Sequence, residues 1–236
     1  GAGVHIGLAA SNTGISYQLM NPGTFGTAQA GSGAAIDFGF VTTAGTYFIQ
    51  ATNTTTSCVS NMSGTAVVSI NALPVAYTVT GGGNYCAGGA GVPVGLSNSV
   101  SGVNYQLYLA GVPVGAAVAG TGTAITFGNQ TAAGTYTVVA TTAATGCTNN
   151  MTGSVTIGIN PLPAVFAVTG GGNYCAGGTG VAIGVSGSTA GIIHQLYNGV
   201  AAYGSPVVGT GGALSFGLVT APGVYTDVAT NATTGC

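Results

Sequence analysis

Val79 to Gly89 reads VTGGGNYCAGG, and Val168 to Gly178 reads the same eleven residues at an offset of 89. A fixed period of that size marks a modular array in which each repeat is one folding unit. Cys58, Cys147 and Cys236 keep the period, as do Cys86 and Cys175. The first copy departs from it once: Gln18 to Gly31 is one residue shorter than Gln106 to Gly120, a deletion that a surface loop tolerates. By this register Gly1 matches Gly89, and the sequence stops at a cysteine that lies inside a repeat. The expectation is a window from a longer tandem protein. Its parts are repeat 1 at 1–74, N-terminally incomplete, repeat 2 at 75–163, complete, and repeat 3 at 164–236, C-terminally incomplete.

Composition narrows the function. Lys plus Arg is zero, and Asp37 and Asp227 are the only side-chain carboxylates. Nucleic-acid binding needs cations against phosphate, and anionic membrane surfaces need basic clusters, so neither partner is expected. No apolar run reaches the roughly 18 residues of a spanning helix, so membrane insertion of this segment is not expected either. No secretory leader pattern is present. The apolar share of 46% is mostly Ala and Val, with 8% aromatics and no Trp, so the cores should be thin and β-branched. Val, Ile and Tyr recur in period-two runs, which disordered chains lack. Solubility rests on Thr, Ser and Asn, and the charged gatekeepers of edge strands are missing, so the chain is free to associate laterally.

No stretch keeps a helical apolar period, because Gly or a β-branched residue interrupts each candidate. Repeat 2 instead predicts seven strands, near Ala76 to Thr80, Val92 to Leu96, Val103 to Tyr108, Val112 to Val118, Ala124 to Phe127, Gly134 to Thr141 and Gly153 to Ile159. Short strands at this spacing with Gly, Asn and Thr turns read as an all-β antiparallel sandwich, here in tandem. Asn71 to Pro74 and Asn160 to Pro163 end their copies, since Pro donates nothing to a ladder and stiffens the link. Neighbouring modules should therefore stack along one axis. Ala44-Gly45-Thr46-Tyr47, Ala133-Gly134-Thr135-Tyr136 and Pro222-Gly223-Val224-Tyr225 each lead a Gly turn into a Tyr at a strand start. That pattern looks like the tyrosine corner of immunoglobulin-like sandwiches, assigned to Tyr47, Tyr136 and Tyr225.

A Cys-Ala-Gly-Gly opening, a Tyr-Gln-Leu strand, Ala-Gly-Thr-Tyr-Thr-Val-Val-Ala-Thr running to Gly-Cys, and a closing Ile-Asn-Pro-Leu-Pro together resemble a known group of proteins. These are the tandem immunoglobulin-like repeats of very large Bacteroidota cell-surface proteins, including the gliding-motility adhesin type. The resemblance covers the whole chain and implies export, a cell-surface or extracellular location, and adhesion or filament building. The chain departs from the commoner gliding-adhesin repeat at Ala143-Ala144-Thr145-Gly146-Cys147, where that repeat carries an acidic Asp-Ala-Asn-Gly-Cys turn.

Catalytic chemistry finds no footing in the sequence. Asp37 aligns with Thr126 and Ser215, and Asp227 with Ile49 and Val138, so no carboxylate site repeats. His5 aligns with Pro93 and Ala182, and His194 with Tyr17 and Tyr105, which reads as drift in a tolerant scaffold. A paired-carboxylate site and a Ser-His-Asp triad both need groups that separate modules do not bring together. Calcium needs several carboxylates and zinc needs Cys and His clusters, so no metal or cofactor is expected. The Asn-x-Ser/Thr triplets at Asn53, Asn61, Asn129, Asn150 and Asn231 read as compositional. Strand alternation places Asp227 on an inward face with Tyr225 and Ala229. With no Lys or Arg to pair with it, the expectation is a protonated acid or a local distortion that turns it outward.

The cysteines are the reactive set, and recurrence in an extracellular-looking array favours disulfides at Cys86, Cys147, Cys175 and Cys236, with the partner of Cys58 outside the window. Three connectivities stay open. One pairs Cys86 with Cys147 and Cys175 with Cys236 inside their repeats, which the resemblance favours. A second staples Cys86 to Cys236 across the repeat boundary, which the poles of a sandwich favour, and a third joins Cys58 to Cys86 in a hairpin. The resulting reading is a structural segment of a secreted surface adhesin, stalk or filament that self-associates along the chain. The alternative is a glycan-binding module array attached to a larger extracellular protein, which would need a recurrent exposed aromatic platform. Tyr17, Tyr105, Tyr108 and Tyr197 are its candidates, and His194 and Met20 interrupt the recurrence.

Overall fold

The computed structural model describes residues 3–236. They contain strands and no helix, so the all-β expectation holds. Two compact units are present, the first ending at Ala72 and the second running from Leu73 to Cys236. The first unit carries β1 (Val4–Leu8), β2 (Ile15–Asn21), β3 (Gly23–Ala30), β4 (Ile36–Val41), β5 (Gly45–Asn53), β6 (Val59–Asn61) and β7 (Ala66–Val68). There β1 pairs with β4, and the facing sheet runs β3-β2-β5-β6 with β7 also on β5.

The second unit holds two consecutive sandwiches. The first of these has β8 (Val79–Gly81), β9 (Gly83–Cys86), β10 (Val92–Leu96), β11 (Val103–Leu109), β12 (Val112–Ala119), β13 (Ile125–Gln130), β14 (Gly134–Thr142), β15 (Thr148–Asn150) and β16 (Val155–Asn160). One sheet is β13-β10-β8, and the other is β12-β11-β14-β16-β9 with β15 on β14. The second sandwich has β17 (Val168–Gly170), β18 (Val181–Val185), β19 (Ile192–Asn198), β20 (Ala201–Val208), β21 (Leu214–Val219) and β22 (Tyr225–Asn231). They form β17-β18-β21 and β20-β19-β22.

Alternation builds the core: Val103, Tyr105 and Leu107 of β11 face Tyr136, Val138 and Ala140 of β14 inward, and all six are buried. Two short strands escape the sequence reading. The opening segment of repeat 2 is divided between the two sheets, because Gly81, Gly82 and Gly83 take φ of 93°, 75° and 120° and let the chain cross from one to the other. A Cβ on Gly81 would lie 2.1 Å from the Pro93 carbonyl oxygen, so the crossing requires Gly. The other missed element, β15, is three residues too polar to show alternation.

A chain without cations satisfies its interior with neutral groups. Ser11, Ser99 and Ser188 are buried. Their hydroxyls donate to the carbonyls of Ala34, Thr123 and Gly212, each at 2.6 Å. The same oxygens accept the amides of Ser32, Thr121 and Thr210. The Gln of each second strand, in Tyr17-Gln18-Leu19, Tyr105-Gln106-Leu107 and His194-Gln195-Leu196, sits at a register shift in its hairpin. Its Nε2 donates to the carbonyls of Phe25, Val114 and Tyr203 across the bulge.

Replacing Ser99 by Ala removes a buried group that both donates and accepts. Chemical denaturation should show unit 2 destabilised by about 1–3 kcal/mol; an unchanged midpoint would mean that the Thr121 amide and Thr123 carbonyl find other partners.

Candidate functional site at the repeat junction

Cys86 closes β9, which runs parallel to β16 with Cys86 opposite Asn160, and the Ala87 amide donates to the Asn160 carbonyl at 2.9 Å. This places the Cys86 loop where repeat 2 ends and the Pro161-Leu162-Pro163 link begins. In the next repeat, Asn231 caps a turn: its Oδ1 accepts the amides of Thr233 and Thr234, and its own amide donates to the Cys236 carbonyl at 2.6 Å. The turn presents Cys236 to Cys86, and the two form a disulfide with Cα atoms 5.4 Å apart. The bond spans 150 residues of chain. On the chain-entropy model a closed loop of that length contributes about 5 kcal/mol, at the upper end of disulfide contributions.

Cys147 and Cys175, expected to be bonded, are free thiols in the structure, as is Cys58. Pairing inside a repeat fails on geometry. Cys86 lies past the start of β14, and Cys147 lies past its end, where its carbonyl accepts the Thr142 amide. Nine residues of β14 at about 3.3 Å each put roughly 25 Å or more between them, whereas a disulfide requires Cα atoms within about 7 Å. Cys58 and Cys175 are exposed, and Cys147 is half-buried.

Tyr47, Tyr136 and Tyr225 start or nearly start β5, β14 and β22. Their hydroxyls donate to the carbonyls four residues upstream, those of Thr43, Ala132 and Ala221, at 2.8, 2.9 and 2.8 Å. The aromatic candidates for a glycan platform include Tyr17 and Tyr105, which are buried, as is His194 in the matching position. Their hydroxyls accept the amides of Asn12 and Val100, so both rings are part of the core.

Although the chain has no Lys or Arg, each Asp meets a His in the structure. In unit 1, His5 Nδ1 lies 2.9 Å from Asp37 Oδ2 on the surface. The Gly39 amide, and after it the His5 ring, hold the Asp37 carboxyl below the usual aspartate value. Both side chains are more than half exposed, so water screens the pair. In repeat 3, His194 Nδ1 lies 2.7 Å from Asp227 Oδ2, with side chains 1% and 8% exposed. His194 and Asp227 sit diagonally across β19 and β22, where the register places His194 opposite Ala229 and Leu196 opposite Asp227. Asp227 thus points inward and is matched by an imidazole, an alternative that reading each residue alone had missed. The signal was available: each exceptional Asp occurs in the same repeat as an exceptional His. His194 Nε2 and Asp227 Oδ1 are buried without a hydrogen-bond partner.

Two cavities flank β22. One of about 600 Å³ is lined by Gly172, Tyr174, Ile183, Val219, Gly223 and Tyr225, and one of about 300 Å³ by residues that include Pro163, Phe166, Asp227, Ala229 and Cys236. Among the described residues, no three His, Cys, Asp or Glu side chains come together as a metal site, and no helix is long and apolar enough to cross a membrane.

No family model and no curated protein matches this sequence. Among solved structures, the chain is similar to the FN1–FN3 domains of chicken CNTN1, at 10% identity and a TM-score of 0.29, covering 94% of this chain and 90% of that one. It is also similar to Sidekick-1 immunoglobulin domains 1–4, at 12% identity and a TM-score of 0.28, covering 98% and 66% respectively. A third is the central fibronectin-III array of RIM-binding protein, at 12% identity and a TM-score of 0.21, covering 88% and 76%.

Removing one member of the buried pair strands the other. His194→Ala should destabilise repeat 3 by about 3–5 kcal/mol, whereas His194→Tyr combined with Asp227→Val, the residues of repeat 2, should be neutral or stabilising. Denaturation of both variants checks this, and the double variant falling below His194→Ala would overturn it.

Proposed function

We propose that this chain is a structural segment of a secreted repetitive protein, three repeats at 1–74, 75–163 and 164–236 that build a surface stalk, adhesin shaft or extracellular filament, and that it is not an enzyme. The observation that carries this reading is the cystine between Cys86 and Cys236, because it ties the beginning of one repeat to the end of the next. Tension applied through such a pair cannot draw out the intervening chain while the bond lasts. Cystine formation fits an oxidising, extracellular location. Self-association completes the reading. Val67, Ile70, Val165, Val200 and Val224 stand at least two-thirds exposed, and with a net charge of −2 there is little repulsion to keep copies apart.

Two measurements test this. Pulled at the ends of unit 2, the oxidised chain should lack about 50 nm of the extension that appears after reduction, from 150 residues at about 3.4 Å each; equal extension in both states would remove the tension-bearing role. Native filaments should keep their order from low salt to about 1 M, where the screening length is about 3 Å, and in EDTA. Fibres that disperse under either condition are held by ions, and the assembly reading then fails.

A further inference from the structure

In every repeat the second strand of the central hairpin ends its sheet. Among the described residues, β3, β12 and β20 pair only with β2, β11 and β19. Their sequences, GTFGTAQA, VPVGAAVA and AAYGSPVV, carry no charge, and all three strands are mostly exposed in the same pattern. An edge of this kind is a template for an added strand, and Lys or another charge is a common guard against it. This chain has no Lys or Arg to place there.

Each of these edges is bent at the same place. Tyr105 lies opposite Val118 and Leu107 opposite Val114, so Gly115, Ala116 and Ala117 face Gln106 alone. In the same way residues 26–28 face Gln18, and residues 204–206 face Gln195. The bulge opens on Gly26, Gly115 or Gly204, with φ of 67°, 62° and 68°. Gln106 Nε2 spreads its hydrogens over the carbonyls of Leu107, Val114 and Gly115 at 2.9, 3.0 and 3.3 Å. Gln18 does so with Leu19, Phe25 and Gly26, and Gln195 with Leu196, Tyr203 and Gly204. The side-chain amide thus supplies the donor that the bulge takes out of the ladder. The neighbourhood varies around it. The hairpin tip is one residue shorter in the first copy, where Asn21 lies opposite Gly23, than in the second, where Leu109 lies opposite Val112. The residue before the Gln is Tyr17, Tyr105 or His194. The bulge keeps its length and its Gln through both changes.

We propose that the glutamine-held bulge is an edge guard, an internal contact that closes β3, β12 and β20 to strand addition by a second copy of this chain. A bulge bends its strand and raises the local twist, so the outward N–H and C=O groups on its two sides no longer form the even row that an added strand needs. Without the Nε2 donor, the carbonyls of Val114 and Gly115 lose a partner, and straightening the hairpin restores one. The offset across the bulge is an even number of residues, so straightening keeps each side chain on its own face. The product would be a straight, neutral, exposed edge. Pro113 and Pro206 strengthen the guard in two of the strands, because they have no N–H to offer an incoming backbone. Copies that meet must then do so through faces or ends of the sandwiches. The guard acts within single repeats and does not depend on the filament reading.

The test uses the whole 236-residue chain with Gln106→Met, which keeps the length of the side chain and removes its donor. Hydrogen exchange is followed as protein concentration rises. In the unmodified chain the β12 amides should exchange at a rate independent of concentration. In Gln106→Met they should become at least about tenfold slower at high concentration than at low, with growth of thioflavin-binding assemblies. Val112 is 64% exposed on this edge, and adding Val112→Lys should abolish both effects by putting a charge there. Gln18→Met and Gln195→Met carry the same expectation for β3 and β20, so a folding failure in one repeat leaves two others to read. Concentration-dependent protection of β12 in the unmodified chain, a folded Gln106→Met chain whose β12 stays unprotected, or protection that survives Val112→Lys would each overturn the proposal. Unfolding of the repeat in all three Met variants would make the glutamine a stabilising residue only, and would overturn it too.

Discussion

Every polar group buried in these sandwiches must be satisfied without Lys or Arg, and the architecture follows from that constraint. Backbone ladders take most of the demand, and neutral side chains take the places that ladders leave open. Ser99 holds the Thr121 amide and the Thr123 carbonyl in one hydroxyl. Gln106 spans the bulge of its hairpin, reaching the carbonyls of Leu107 and Val114. Tyr105 and Tyr136 each have a ring in the core and a hydroxyl on a backbone group. Such contacts are short-ranged and directional, so the same residues return at the same place in each repeat where the local backbone demands them.

The cystine works on a different scale. Hydrogen bonds close single hairpins, whereas the Cys86–Cys236 bond closes a loop containing most of two sandwiches. Its position depends on the crossing at Gly81 to Gly83, which carries the opening segment of repeat 2 to the edge of the sheet beside β16. Without that crossing Cys86 would remain with β8 and β10 in the opposite sheet. A local backbone preference of three glycines thus sets a covalent contact between repeats.

His194 and Asp227 depart from the neutral scheme together. In the other repeats the matching positions carry Tyr with Ile or Val, which pack and need no counter-ion. The acid on that inward face is matched by the imidazole Nδ1 of its diagonal neighbour, and the two changes occur in the same repeat. The pair leaves one nitrogen and one oxygen without partners. Its compensation is incomplete, in contrast to the full pairing at Ser188 in the same repeat.

The strand pattern was legible because alternation and Gly-rich turns are local: Val92–Leu96 is read to the residue, and β11, β12 and β14 to within one residue at either end. Spacing also placed the cysteines and tyrosines at equivalent points of each repeat. What spacing leaves open is which cysteines meet, since several pairings share one periodicity and only the poles of folded sandwiches separate them. The His–Asp contacts were hidden for a related reason, since they join residues 32 and 33 positions apart through strand register rather than through sequence. The sequence by itself determined the all-β repeat, its period and its neutral chemistry, because these depend on residue type and near neighbours. Tertiary structure alone decided the Cys86–Cys236 bond and the burial of Asp227 against His194, because each depends on which distant backbones the two sheets bring side by side.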